Sequence, residues 1–200
     1  MNTEFEVKFV NVDHQALRLK LKKLGANLEQ PMRLMKRAII ETPILKQKNA
    51  FLRIRDEGNK TTLTFKQFQD LSVDGAKELE IVVSDFQTTV DIFSASGLSY
   101  KSLQESKRET WSIDSAEVVL DEWPWLNPYI EIEGGSEQHI REVATKLGFD
   151  WKLAVFGDIM AAYRVQYPHL KLDDTVGSIP EVKFGNPVPE LFAKKSFNSK

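Results

Sequence analysis

The segment Glu4-Phe5-Glu6-Val7-Lys8 switches between charged and apolar side chains at every residue, and the same period of two returns in six later segments. A β-strand points successive side chains to opposite faces, so Glu4, Glu6 and Lys8 share one surface while Phe5, Val7 and Phe9 share the other. Further along, Arg53 and Arg55 alternate with Leu52 and Ile54, and Lys66 falls on the face of Thr62 and Thr64. Glu78 and Glu80 alternate with Leu79 and Ile81, Asp121 follows Leu120, and Glu131 and Glu133 alternate with Ile130 and Ile132. Arg108 shares a face with Ser106 and Thr110.

One strand of this kind can turn its charges to water. Seven of them together put seven carboxylates and five basic residues on one side of a sheet. An α+β fold accounts for all of them: a closed eight-stranded antiparallel β-barrel with a charged lumen and helices packed on its apolar outer wall. Charges of both signs then meet inside, where each is expensive unless it pairs or binds an ion. Convergent carboxylates are hard ligands for Mg²⁺ or Mn²⁺, and Arg and Lys match phosphate oxygens. A metal-chelated nucleoside or inorganic triphosphate meets both demands.

The strands are expected at Met32–Glu41, Phe51–Arg55, Thr61–Phe68, Lys77–Ser84, Tyr100–Ile113, Glu117–Glu122 and Tyr129–Glu133, after the opening one. Helices are expected after Asp13, over Asp85–Ser96 and Glu137–Leu147, with Gly25, Gly97 and Gly148 as stops, and a shorter one over Asp158–Tyr167. Residues 1–167 read as one tunnel domain, and residues 168–200, rich in proline, glycine and polar residues, as a C-terminal arm or lid. With 200 residues, a net charge of −2 and no cysteine, the chain has no global attraction to nucleic acid or membrane and no thiolate metal site. No signal segment or run of about 18 apolar residues is seen, so the expectation is a cytoplasmic protein. His14, His139 and His169 lack ligand spacing, and there is no glycine-rich phosphate loop.

Glu4-x-Glu6-x-Lys8 resembles the N-terminal signature of the CYTH superfamily, the triphosphate tunnel metalloenzymes. Thr42-Pro43, Leu52-Arg53-Ile54-Arg55, Lys66, Glu78-x-Glu80, Arg108 before Trp111, Asp121 and Glu131-x-Glu133 follow in the family's order over residues 1 to 165. The resemblance implies metal-dependent hydrolysis of a triphosphate, with Glu4, Glu6, Glu131 and Glu133 as catalytic acids. It implies two sites for Mg²⁺ or Mn²⁺ near Glu4, Glu6, Asp121, Glu131 and Glu133, and phosphate contacts from Lys8, Arg53, Arg55, Lys66 and Arg108; beyond that set, Glu80 is a further candidate metal ligand and Arg37 an extra candidate phosphate contact. Relatives include class IV adenylyl cyclases, which leaves cyclic AMP formation as the second reading and a non-catalytic polyphosphate- or nucleotide-binding module as the third. Ser106 stands where a cyclase-like member often has a second base, and Trp123-Pro124-Trp125 offers a surface that could stack a nucleobase. A small-molecule triphosphate is the expected partner, with a homodimer as a possible assembly.

Overall fold

The computed structural model describes residues 2–70 and 72–193. Eight strands form the wall: β1 (Asn2–Val10), β2 (Asn27–Ile40), β3 (Ala50–Asp56), β4 (Thr61–Phe68), β5 (Ala76–Val83), β6 (Ser102–Ile113), β7 (Ala116–Glu122) and β8 (Tyr129–Gly134). Their order is β2-β3-β4-β5-β1-β8-β7-β6, every neighbouring pair is antiparallel, and pairing of β2 with β6 closes the ring. The expected barrel is therefore present, with one uneven seam. Only residues 2–4 of β1 pair with β5. Beyond them the exposed edge of β1 is covered by loops: the Glu6 amide donates to the Val73 carbonyl at 3.1 Å, and Lys8 and Val155 exchange two backbone bonds of 2.9 Å.

The apolar face of the alternation points outward, as the charge pattern requires. Val7, Phe9, Leu120, Ile130 and Ile132 meet Leu17 and Leu21 of helix α1 (His14–Lys23) and residues of a later helix over Glu137–Lys146. Fully burying side chains of this size contributes roughly 1.5–3 kcal/mol each, which fixes the register and hence which residues look inward. Asp13 caps α1, accepting from the Gln15 amide at 2.8 Å, and Gly25 follows with φ of 77°.

Helix α2 (Pro43–Gln47) was not expected. Thr42 and Pro43, read as the end of a strand, also suit a helix start, the hydroxyl accepting from the Leu45 amide and the ring occupying the first turn. Strand β2 begins five residues before the expected Met32, because bulges between Leu28 and Arg33 break the alternation that would have revealed it. Helix α3 (Phe86–Ala95) lays Val90 against Ala38, Ile40 and Ile54. Helix α4 (Glu137–Lys146) and helix α5 (Ile159–Gln166) follow, with Ser136 and Asp158 as N-caps.

The C-terminal segment packs against one rim of the barrel. Strand β6 runs past the end of β7, and a two-residue strand β9 (Glu181–Val182) pairs in parallel with Leu103 and Gln104 on that edge. Tyr163, Leu170, Val176, Val182 and Phe192 build a second core with Trp123 and Tyr129. Among the described residues no helix is long and apolar enough to cross a membrane.

Candidate active site

The inward faces enclose one cavity of about 1140 Å³. Register brings the acids together first. Glu6 sits opposite Glu133 and Lys8 opposite Glu131 in the β1–β8 ladder, so a carboxylate oxygen from each of Glu6, Glu131 and Glu133 lies within 4.8 Å of the others. Three hard oxygen donors this close repel one another unless a cation joins them.

The three differ in what already balances them. Glu131 pairs with Lys8 at 3.2 Å and Arg108 at 2.7 Å. Burial alone would raise its carboxyl, but Lys8 and Arg108 overcome that and hold it far below the usual range. Glu6 reaches Lys8 at 3.2 Å and Lys66 at 3.7 Å. Glu133 makes no ion pair and no side-chain hydrogen bond among the described residues. Burial, joined by the Glu131 and Glu6 carboxylates, pushes its carboxyl up to about 8. Glu133 is thus the acid with an unmet demand for positive charge.

Glu4 and Glu80 stand outside this triad. Glu4 accepts from Lys66 at 2.8 Å, and Lys66 also reaches Glu78 at 2.9 Å. Burial opposes the charge on the Lys66 ammonium, but Glu6, Glu78 and Glu4 outweigh it and push its pKa well upward. Glu80 accepts from the Thr64 hydroxyl at 2.7 Å and lies 3.6 Å from Arg53. Asp121 is placed differently from the expected ligands. It is fully buried, does not line the cavity, and its two oxygens accept from Arg108 at 2.8 and 2.5 Å and from the Tyr129 hydroxyl at 3.1 Å. In this arrangement Asp121 aims Arg108 by a two-point clamp.

The bases complete the lining. Lys8, Arg37, Arg53, Arg55, Lys66 and Arg108 all face the cavity. Lys8 also donates to the Gly157 carbonyl at 2.8 Å, which ties β1 to the start of α5. Arg37 is 5% exposed, makes no ion pair among the described residues, and has two guanidinium nitrogens with no hydrogen-bond partner. Burial and the neighbouring Arg55 and Arg53 make its charge hard to hold. Its guanidinium lies 4.4 Å from the centre of the Trp123 ring. Arg53 and Arg55 each leave Nε without a partner as well.

Arg33 and Glu57 were missed by the sequence reading. Arg33 enters the lining from the bulged part of β2, where periodicity fails, and lies 3.7 Å from Glu57. Glu57 follows the end of β3, outside the expected strands, and holds Arg55 at 2.6 Å. Asp158 also reaches the cavity, as the cap of α5, where burial raises its carboxyl above the usual value.

Residues 2–156 match the CYTH domain family. Among solved structures, a conserved hypothetical protein of Pyrococcus furiosus is 21% identical with a TM-score of 0.67, over 80% of this chain and 99% of that one. The PH1012 protein of Pyrococcus horikoshii is 23% identical with a TM-score of 0.64, over 76% and 93% of the two chains. A Hippeastrum protein, described as an adenylyl cyclase candidate that reveals a dominant triphosphatase activity, is 17% identical with a TM-score of 0.55, over 82% and 96%. These likenesses are of fold. No curated protein matches.

Proposed function

We propose, from the premise that the chain belongs to the CYTH domain family, that its cavity hydrolyses a triphosphate with Mg²⁺ or Mn²⁺ held by Glu6, Glu131 and Glu133. One observation carries the reading: among the described residues the same lumen holds an acid with no ion-pair partner, Glu133, and a buried guanidinium with none, Arg37. A metal–triphosphate complex supplies both missing charges, whereas a metal alone or an anion alone supplies one. The donor set fits a hard divalent ion, since all three ligands are carboxylates and no nitrogen or sulfur donor joins them. When bound, such an ion withdraws charge from phosphate oxygens and increases the acidity of water.

The chain's own residues bind and align the phosphates. Arg37, Arg53 and Arg55 present unpartnered guanidinium nitrogens to phosphate oxygens, and charge-assisted contacts of this kind contribute roughly 1.5–3 kcal/mol each. Lys8, Lys66 and Arg108 hold the acids in position while leaving positive charge on the lumen wall. Hydrolysis forms a bond from water oxygen to the terminal phosphorus as the bridging P–O bond breaks, and the proton that water gives up passes through solvent to the phosphate products. The departing oxygen carries its electron pair to the shorter phosphate chain, where the arginines stabilise the growing charge. Asp121, with Tyr129 behind it, keeps Arg108 in one orientation for this role.

Cyclic AMP formation has less support. Trp123 is buried in the second core with Arg37 over its ring, and Trp125 packs against Phe192 with ring centres 5.8 Å apart, so both rings are taken up by protein contacts where a nucleobase would have to stack in that segment. The test is incubation with tripolyphosphate, ATP and thiamine triphosphate in Mg²⁺ and in Mn²⁺. Orthophosphate release supports the proposal; cyclic AMP with pyrophosphate, or binding without turnover, overturns it.

A further inference from the structure

Strand β5 differs from the rest of the wall. Leu79, Glu80, Ile81 and Val82 are all exposed, Leu79 by 54%, Ile81 by 60% and Val82 by 70%. The uneven seam is one cause. Strand β4 pairs with the whole of β5, whereas β1 reaches only Ala76, Lys77 and Glu78. Among the described residues nothing pairs with the other edge of residues 79–83, so backbone N–H and C=O groups stand open along it. The helices are the other cause. Helices α1 and α4 cover β1, β7 and β8, and α3 covers β2 and β3. Leu79 and Ile81 lie on the outer face, across the ladder from the half-buried Phe65 and Leu63, so four apolar side chains form one patch that runs up to the open edge. Proteins blunt such edges with a proline, a lysine or a bulge. Residues 79–83 have none of these: their one charge, Glu80, is turned to the lumen, and the register with β4 is unbroken. An unguarded apolar edge is a template for another strand.

The sequence of β5 indicates which strand. In an antiparallel pair of identical strands, residues opposite one another share a face, so the two-fold axis passes beside one residue that meets its own twin. With Ile81 at the axis, Ile81 meets Ile81 and Leu79 meets Val83, apolar on apolar along the outer face. With Glu80 at the axis two carboxylates would meet, and with Val82 there Leu79 would face Asp85. The flanking charges fit the Ile81 register as well. Lys77 and Asp85 have no ion pair among the described residues, and within one chain eight residues, about 26 Å of strand, keep them apart. Asp85 is exposed and uses its carboxylate to cap α3, accepting from the Thr88 amide at 2.6 Å. In the pair it arrives on the outer face beside the partner's Lys77. There β1 already occupies the edge, and the incoming chain turns away into its own α3, so the pairing is confined to residues 79–83. We infer that this edge joins two copies of the chain, antiparallel about Ile81, so that the sheet of one barrel runs into the sheet of the other.

The chain has no cysteine, so single cysteines report the register directly. Opposite residues of an antiparallel pair have Cα atoms about 4.5–5.5 Å apart, within the span of a disulfide. Under mild oxidation of the full chain, Ile81→Cys should link to itself as a covalent dimer. Leu79→Cys should not, because its twin lies about 13 Å away, but it should link to Val83→Cys when the two variants are mixed. Light scattering after gel filtration should give the parent twice the mass of one chain, falling to a single chain on dilution. Ile81→Lys, which alters an exposed side chain, should give a folded monomer by circular dichroism, and Lys77→Glu should weaken association by roughly tenfold, less so in high salt. A parent that is monomeric at every concentration, a dimer that Ile81→Lys leaves intact, or Leu79→Cys linking to itself as readily as Ile81→Cys overturns the inference.

Discussion

Replacing Glu133 by Gln should stabilise the metal-free protein, and replacing Glu131 should do the opposite, although the two acids are neighbours on one strand face. Glu133 has no ion-pair partner among the described residues, and its carboxyl is pushed up to about 8 from 4.5. A group whose folded pKa lies above its unfolded one keeps extra protons in the folded state across that window, so this carboxyl makes metal-free stability fall as pH rises from about 4.5 to about 8. At pH 7 the shortfall is at most about 3 kcal/mol, from 1.36 kcal/mol for each of roughly 2.5 pH units. Water in the lumen screens the acids, so about 1–3 kcal/mol is expected. Gln keeps the shape without the charge, and for a chain of this size each kcal/mol moves Tm by about 2–4 °C. Glu131→Gln instead leaves Lys8 and Arg108 short of a partner each. Breaking a buried pair costs about 3–5 kcal/mol, and the remaining contacts of Lys8 with Glu6 and of Arg108 with Asp121 keep the loss near the lower figure. The assay is thermal unfolding in chelator at pH 5, 6, 7 and 8. Glu133→Gln should match the parent at pH 5 and exceed it increasingly towards pH 8. A drop in Tm like that of Glu131→Gln, at every pH, refutes the reasoning and makes Glu133 a structural partner of the lumen.

Other consequences follow from the same geometry. Because metal binding at the triad displaces the Glu133 proton, Mn²⁺ affinity measured by calorimetry should rise by up to tenfold per pH unit between about pH 6 and 8 and level off above, and a flat profile removes Glu133 from the ligand set. Arg37→Ala should weaken binding of tripolyphosphate by roughly tenfold or more with only a small fall in Tm, since the guanidinium has no ion pair among the described residues to lose and gives up only its contact with Trp123; unchanged affinity with a large loss of stability would make it a packing residue. Asp121→Asn should lower kcat for orthophosphate release at least tenfold with a smaller change in metal affinity, because it loosens Arg108 while Glu131 keeps its pairing with Lys8 and the three triad carboxylates stay in place; a matching loss of Mn²⁺ binding would return Asp121 to the ligands.

The barrel was legible because a period of two is hard to satisfy any other way once seven segments share it. The apolar half of most alternations packs under α1, α3 and α4, Leu79 and Ile81 of β5 being exposed instead, and the charged half converges in the lumen. What escaped was wherever that period breaks. Arg33 sits in a bulge, Glu57 just past the end of β3, and the early part of β2 carries no clean alternation. Polarity could be read from spacing, but pairing could not: Asp121, Glu131 and Glu133 look alike in sequence, and only the three-dimensional neighbours separate a clamp for Arg108, a paired acid and an unpaired one. The segment after residue 167 suggested a loose arm through its prolines and glycines. Leu170, Val176, Val182 and Phe192 are too widely spaced to show a period, yet they meet in one core.

We propose turnover, in this lumen, of the complex that supplies Glu133 with a cation and Arg37 with an anion. It is tested most directly by orthophosphate release from tripolyphosphate and from ATP, comparing the parent in Mn²⁺, the parent in chelator, and Glu133→Gln in Mn²⁺. Release by the parent in Mn²⁺, falling at least a hundredfold in the other two, is the predicted result. Equal release in chelator, or undiminished release by Glu133→Gln, contradicts it.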